Sequence, residues 1–542
     1  MQAQASNPSV LALDVGTSSV RASLFDICGC EISGAQARVE HSFCTTLDGG
    51  AEADAEKLVA DITQVIDAVL KEHLPSNASL EAVAICCFWH SLVGVDARGE
   101  AITPVFGWAD RRAARAAEEL RNRFDERAAH ARTGCRFHAS YWPAKLLWLR
   151  TEHTKLYGRV AHWLSFSDYL IEKFCATNNA STRTNISMAS GTGLLNVHSC
   201  TWDAELLTAL DIRRDHLPPI ACAEQNYESH GALKNEYTRR WPQLSTARWF
   251  LAVGDGAANN VGAGCVSSSQ VALMIGTSGA MRVLSDSVVP DVLPSELWCY
   301  RVDEKRIVVG GALSDGGGLY QWMIERLRIG ERAEIDDESL EHQLASLPAD
   351  RHGLTLLPFW AGERSTGWSD FARGAILGLT MHTRPIEILR AAMEAVAYRF
   401  ALIYDALKKI HAFDESSTIY ASGGALEASS VWGQMLADVL GREIKLSNVP
   451  EASSRGAALL ALEQLGKIKR IAAPTPVAGE RVYEPDMANH VRYRMGLVRQ
   501  QKVYEHLISD QYFVSVINQA VPEQSSQSVE ARCHNLEMRE KP

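Results

Sequence analysis

The chain has no apolar run near the roughly 18 residues that a membrane-spanning helix needs, so no helical membrane protein is expected. Its N-terminus, MQAQASNPSV, has no basic region followed by an apolar core, so no secretory leader is read there and a cytoplasmic protein is expected. A basic excess is missing as well. The formal net charge is -11, which argues against a nucleic-acid partner and against an anionic membrane surface. The 12 cysteines include Cys28, Cys30 and the adjacent Cys86 and Cys87, but no CxxC pairs at zinc-ligand spacing. They are expected to be reduced packing residues. Two phosphate-binding signatures are also absent: there is no G-x-x-x-x-G-K-[ST] loop, and no G-x-G-x-x-G after a strand-like run. What remains is an ordinary globular composition, 46% hydrophobic and 22% charged, over 542 residues. That length is too great for one core and implies two large domains or more.

The stretch that organises the chain is LALDVGTSSVRASLFD, Leu11 to Asp26. It starts apolar, breaks at Asp14 to Ser19 and resumes in alternation, the pattern of two strands joined by a tight hairpin. Gly16 lets the chain turn and lets backbone approach a ligand. Thr17, Ser18 and Ser19 add hydroxyls and N–H donors, the equipment of a phosphate-binding concavity. Asp14 stands at the rim, where a carboxylate can hold Mg²⁺ directly or through water. A hairpin with a merely polar tip is the competing reading. A second copy weighs against it. VALMIGTSGAMRV, Val271 to Val283, repeats the design with Gly276, Thr277 and Ser278, roughly 260 residues after Gly16. Two such hairpins can hold a nucleotide's phosphates between them, and the pair resembles the actin-like ATPase architecture.

Between and after the hairpins the chain gives further signals. Glu52 to Leu74 has helical spacing, and Leu80 to Phe88 reads as a buried strand that ends in WHSL. Ligands gather at such strand ends, so His90 and Ser91 are site candidates, with a satisfied core histidine as the alternative for His90. FGWADRR, Phe106 to Arg112, precedes a charged helix expected over Ala113 to Ala131. Either Asp110 caps that helix, or Trp108, Asp110 and Arg112 face a polar ligand, with Trp108 lying against the apolar side of a sugar. Lys145 to Glu152 reads as a packed helix and Asp168 to Asn196 as loop. In GDGAANN, Asp255 follows a strand and precedes the second hairpin, so its carboxylate is placed to take a proton from an attacking hydroxyl. Pro385 to Leu407 and Glu451 to Leu465 are helical. Gly423 and Gly424 end a strand and open a helix, which lets a flat base lie against backbone. From about Ser509 the chain is a polar tail.

Several of these segments, in order, carry a resemblance to the FGGY carbohydrate kinases over roughly Leu11 to Gly466. They are LALDVGTSSVRASLFD, KLLWLRTE, GDGAANNVGAG, MIGTSG, GERSTGW with RGAILGL, ILRAAMEAVAY and ASGGALEASSVWGQMLADVLGREI. Through WHSLVGVDARGEAITPVFGWADRR the likeness within the family is greatest to gluconate kinases. The resemblance implies an α/β protein of two ribonuclease H-like domains flanking a central cleft, here 9–264 on the sugar side and 265–508 on the ATP side, with a tail at 509–542. It implies an ATP-dependent kinase with Mg²⁺, a small sugar or sugar acid as partner, and Asp255 as general base for the primary hydroxyl. Asp14 would position Mg²⁺. Gly16, Thr17, Ser18, Gly276, Thr277 and Ser278 would surround the phosphates, and Gly423 and Gly424 would line the adenine site. His90, Ser91, Trp108 and Asp110 would face the sugar.

The substrate expectation is D-gluconate, converted to the 6-phosphate. A carboxylate entering a partly desolvated cleft needs a cationic partner. Arg112 is the first candidate and Arg136 and Lys145 are weaker ones, unless they pair with acids such as Glu118 or Glu119. The chain departs from the family pattern at Trp142 and Pro143, at Thr366 and Gly367, and at the Phe88-Trp89 that precede His90, departures that bear on substrate identity. A pentulose kinase and a catalytically silent sugar-binding relative are the alternatives, and retention of Asp255 speaks against the second. A homodimer is left open.

Overall fold

The two expected hairpins each sit at the centre of a sheet, and the sheets repeat one topology. The computed structural model describes residues 8–176, 182–221, 232–286, 288–327, 337–410, 413–447, 449–471 and 481–509. In the first half β1 (Pro8–Val15) and β2 (Ser19–Asp26) pair antiparallel with Val15 opposite Val20, so the chain reverses through Gly16 to Ser19. β2 continues the meander to β3 (Glu31–Glu40), while the other edge of β1 takes β4 (Ala82–Cys87) in parallel. Two short strands, β5 (Arg248–Trp249) and β6 (Val253–Gly254), extend β4.

The second half runs the same way. β7 (Gln270–Ile275) and β8 (Gly279–Ser285) form the hairpin, and β9 (Trp298–Arg301) and β10 (Ile307–Leu313) complete the antiparallel side. β11 (Thr418–Ser422) pairs parallel to β7, followed by β12 (Ile444–Leu446) and β13 (Val482–Tyr483). The order β3-β2-β1-β4 is thus matched by β10-β8-β7-β11. This is the expected two-domain, ribonuclease H-like architecture of the actin-like ATPases.

Apolar helices close the layers. α1 (Ala55–His73) buries Leu58, Val59, Ile62, Val65, Ile66, Val69 and Leu70 on one face, and Asp54 caps it by accepting from the N–H groups of Glu56 and Lys57. In the second half a 23-residue helix, Pro385–Leu407, is buried along most of its length, because it lies inside the second core rather than on its surface.

One helix crosses over. The helix Ala452–Gln464, although late in the chain, packs on the first sheet against β1 and β4 and on the helix that begins at Asp255. Gly262 and Gly456 permit this contact. A Cβ on Gly262 would stand 1.7 Å from the Ala452 carbonyl oxygen, and one on Gly456 would stand 1.8 Å from that of Ala258.

Two local expectations change. The helix read over Ala113 to Ala131 is two helices, Ala114–Arg123 and Glu126–Thr133, because Asp125 caps the second through the Ala128 N–H. The loop read from Asp168 begins inside the helix Phe166–Phe174, where Ser165 and Asp168 form a capping box. The polar character that suggests loop is the cap itself. The N-terminal lead-in before Pro8 and the tail beyond 509 lie outside the described residues.

Candidate active site

Strand register brings Asp14 and Asp255 to one sheet edge. Asp14 lies opposite Cys86 on one side of β4, and Val253 lies opposite the same Cys86 on the other, so Asp255 leaves the sheet two residues further on. Both carboxylates sit at the carboxyl ends of parallel strands, where open α/β sheets present ligands. Burial raises the Asp14 carboxyl to about 6, against the pull of Arg21 and the Cys86 thiol, whose Sγ stands 3.4 Å from its Oδ1. Burial also raises Asp255, while Arg282, its hydrogen bond from the Gly256 N–H at 2.8 Å, and Arg364 act to lower it. A carboxylate raised in this way is a better proton acceptor near neutrality.

The hairpin tips are built for close backbone approach. Gly16 donates to the Ser19 carbonyl at 3.0 Å, and Thr17 and Ser18 stand at the turn with side chains at least partly exposed. At the second tip, Gly276 and Thr277 are backed by a glycine run that the sequence reading passed over. Gly317 donates to the Gly276 carbonyl at 2.7 Å, and Gly316 and Gly318 donate to that of Thr277 at 3.1 and 3.0 Å. Gly423 has φ 105°, and a Cβ there would lie 2.4 Å from the Ile275 carbonyl oxygen, whereas one on Gly424 would meet nothing within 4 Å. The glycine pair therefore presses against the second hairpin and leaves an open face beside it.

The sugar-side candidates divide. His90 is buried with φ 69°, and its Nδ1 bonds the Gly191 carbonyl, so the neutral ring presents Nε2 as an acceptor. Burial lowers its pKa to about 3, which keeps it neutral. Around it stand Tyr141 and Tyr300, with ring centres 4.9 and 5.7 Å away and their hydroxyls 2.6 Å apart. Trp108 is partly exposed and carries the Arg364 guanidinium over its ring at 4.2 Å.

Three other candidates have structural duties. Ser91 is buried, and its hydroxyl accepts from the Phe166 N–H at 3.1 Å. Asp110 does not cap the helix: it is buried and accepts from the Ala51 N–H at 3.2 Å and from Arg112. Arg112 in turn pairs with Asp110 and with Glu52 at 2.6 Å, between the rings of Phe106 and Trp148, while its Nη1 has no hydrogen-bond partner. Both acids lie inside the protein, which weighs against its expected role as partner of a substrate carboxylate. Arg136 likewise pairs with Glu126 at 2.5 Å.

The cation that does face this region is Arg364. Its side chain is half-buried, its Nη2 donates to the Leu313 carbonyl at 3.1 Å, and its Nε, itself buried, has no hydrogen-bond partner. Among the described residues no carboxylate lies within ion-pair distance of it. Its charge is felt by Tyr141, Tyr300, His90, Asp255 and Asp315. The GERSTGW segment was its only sequence signal. A second cation, Arg282, comes from strand β8 and donates to Asn259 Oδ1 at 3.1 Å. An arginine inside an otherwise apolar strand was the clue to it. The Arg364 loop is fastened to the first half through Asp370, which accepts from the Ala139 N–H at 2.8 Å and from Arg121 at 2.7 Å.

One acidic cluster elsewhere is accounted for without a ligand. Asp350, His352 and Glu394 lie close together, but His352 Nδ1 accepts from the Leu354 N–H at 3.0 Å, so its Nε2 is a donor to Glu394 and no lone pair remains for a metal. Arg390 and Arg499 take the carboxylates.

Two glycine-tipped hairpins on duplicated ribonuclease H-like sheets, with carboxylates at the strand ends between them, fit a phosphotransferase of the actin-like class. The domain models of the FGGY family of carbohydrate kinases match residues 9–262 (N-terminal domain) and 271–465 (C-terminal domain), and the chain belongs to that family. It is therefore a carbohydrate kinase, a phosphotransferase with an alcohol group as acceptor, and ATP is the nucleotide that follows from the family. A gluconokinase of Bacillus subtilis (strain 168) is 25% identical over 476 residues, 87% of this chain and 90% of that protein. A glycerol kinase of Halorhodospira halophila (strain DSM 244 / SL1) is 30% identical over 503 residues, covering 90% and 94%. Among solved structures, a gluconate kinase and a ligand-bound xylulose kinase, both from Lactobacillus acidophilus, are equally similar. Each has a TM-score of 0.80, 26% identity, and coverage of 92% of this chain and 98% of that one. Among the described residues no helix is long and apolar enough to cross a membrane.

Proposed function

We propose that this kinase phosphorylates a sugar acid, D-gluconate to 6-phosphogluconate being the assignment we favour. The observation that carries it is Arg364: a half-buried guanidinium whose Nε is buried without a hydrogen-bond partner and which, among the described residues, has no carboxylate within ion-pair distance, next to Trp108 and His90. Burying a cation without an acid is costly unless a ligand supplies the anion. The carboxylate of a sugar acid meets that demand, with Arg364 taking the place first read for Arg112. The gluconokinases among the relatives support the same reading.

In this reading Asp255 accepts the proton of the terminal primary hydroxyl as that oxygen bonds the γ-phosphorus. The bond from that phosphorus to the β–γ bridging oxygen breaks, and ADP departs. Thr17, Ser18, Thr277 and Ser278 contact the phosphates with the backbone of Gly16 and Gly276, while Gly423 and Gly424 bear the adenine. His90 Nε2 accepts from a sugar hydroxyl, and Trp108 covers an apolar face of the sugar.

Mg²⁺ belongs to the proposal, and Asp14 fits it. The cation whose charge Asp14 feels, Arg21, is itself bonded to Glu451 at 2.8 Å, so Asp14 keeps a carboxylate without a paired cation. When bound, the ion neutralises charge on the phosphates.

A pentulose kinase is the second reading, favoured by the equal likeness to the xylulose kinase structure. An ADP-release assay against gluconate, xylulose, ribulose and glycerol decides between them. Gluconate is expected to give the highest kcat/KM, and a better pentulose would overturn the assignment while leaving the kinase in place.

A further inference from the structure

Lys145 lies in the first turn of the helix Trp142–Glu152 and is 1% exposed. An ammonium so deep in the protein is retained only where several acceptors surround it. Its Nζ donates to the carbonyl of His90 at 3.1 Å and to that of Ser140 at 2.7 Å. The first of these carbonyls belongs to a residue at φ 69°, a backbone region that a non-glycine side chain adopts only when its surroundings hold it there. The second leads further. Ser140 Oγ donates to the Trp108 carbonyl at 2.8 Å. Two separate stretches of chain, those of His90 and Trp108, are thus tied to the one that runs from Ser140 into the helix of Lys145, the first directly and the second through Ser140.

We infer that Lys145 is a positioning residue of the sugar site, which fixes His90 relative to Trp108 by bridging the carbonyls of His90 and Ser140. The inference rests on the reading of His90 and Trp108 as sugar-facing groups. It gives the lysine of KLLWLRTE a role that contact with substrate does not require. Both acceptors are main-chain oxygens, so a loss of the bridge moves whole segments and changes sugar affinity, while the nucleotide side, built on the two hairpin tips and the second sheet, is left in place.

The charge of this ammonium adds a second handle. Burial lowers the Lys145 pKa to about 7, with Asp110 favouring the charged form and Arg112 opposing it. The histidines nearby, His90 at about 3 and His138 at about 4, stay neutral and do not titrate in that range. A charged donor bonds carbonyls more strongly than a neutral amine, so the bridge weakens as pH rises through about 7.

The test uses the full chain with Lys145→Met and Lys145→Gln. Sugar affinity is read as KM for the best-used sugar of the panel and, independently of turnover, by tryptophan fluorescence during titration with gluconate and with xylulose. Lys145→Met is expected to weaken sugar affinity about 10–100-fold, the loss of charged hydrogen bonds, with KM for ATP changed by less than about twofold. Lys145→Gln, whose amide nitrogen has two donors, is expected to recover most of that loss. In the wild type, sugar affinity is expected to fall as pH passes about 7, a dependence that Lys145→Gln lacks. Equal losses for sugar and ATP, or a glutamine variant no better than the methionine variant, would overturn the inference. Should Lys145→Met fail to fold, the comparison of wild type with Lys145→Gln still decides: a sugar affinity with the same pH profile in both refutes it. Absence of turnover on every sugar would sink the kinase reading alone, since the fluorescence titration stands apart from it.

Discussion

The Arg364 guanidinium lies 4.2 Å from the centre of the Trp108 ring, so a loop of the second half covers a tryptophan of the first. A cation over an indole face is worth about 0.5–2 kcal/mol depending on its desolvation. The pair joins the two halves and sets up the first prediction.

Arg364→Ala is expected to raise KM for gluconate by ~10–150-fold, the cost of about 1.5–3 kcal/mol for a lost charge-assisted contact. KM for xylulose and glycerol should change much less, because neither carries a carboxylate. Steady-state kinetics on the three sugars measures it. Losses of the same size on all three would mean that Arg364 merely supports Trp108.

Arg112→Ala should act on stability instead. It strips Asp110 and Glu52 of the cation between them, in a place where the Arg112 side chain is only 5% exposed. Removing one partner of a buried ion pair costs about 3–5 kcal/mol. The melting temperature is expected to drop, with the ratio of gluconate to xylulose kcat/KM unchanged. A selective rise in KM for gluconate at wild-type stability would restore Arg112 as a substrate ligand.

Asp255→Asn keeps the shape of the side chain and removes its basicity, so kcat is expected to fall ~10²–10⁴-fold with the circular dichroism spectrum unaltered. The wild-type pH profile follows from the same group. A general base works only when deprotonated, and burial raises Asp255 above the ordinary carboxylate range. Activity should therefore be full on the alkaline side and decline, as pH falls, at a pH higher than ordinary carboxylates would dictate. An acid limb centred near pH 4 would contradict it.

Gly423→Ala and Gly424→Ala should differ although the residues are neighbours. At φ 105° and 2.4 Å from the Ile275 carbonyl, a methyl on residue 423 must displace the second hairpin, so both stability and KM for ATP should worsen. At Gly424 the methyl meets no protein atom within 4 Å, so stability should hold while KM for ATP rises. Thermal melts with and without ADP separate the two outcomes. Wild-type KM for ATP in Gly424→Ala would remove that residue from the adenine site.

Much of the fold was legible because its signals are local. Alternation around Gly16 and Gly276 marks two hairpins, and helical spacing marks Pro385–Leu407 to the residue. Asp255 could be read from a strand end next to a repeat. The candidate site was legible only in part. Trp108, Asp110 and Arg112 occupy one short motif with one chemical character, yet only Trp108 lies beside the cleft-facing cation.

The sequence alone specified two like glycine-tipped hairpins and a carboxylate that follows a strand between them, since period, glycine placement and chain order are properties of neighbours along the chain. Which cation is paired with an acid was decided only by tertiary structure. Arg112 meets Glu52, 60 positions away in the chain, whereas Arg364 reaches Trp108 across the two halves and, among the described residues, has no carboxylate within ion-pair distance. Charge pairing in a folded protein depends on distance in space, where Coulomb energy and desolvation act, and spacing along the chain carries no record of it.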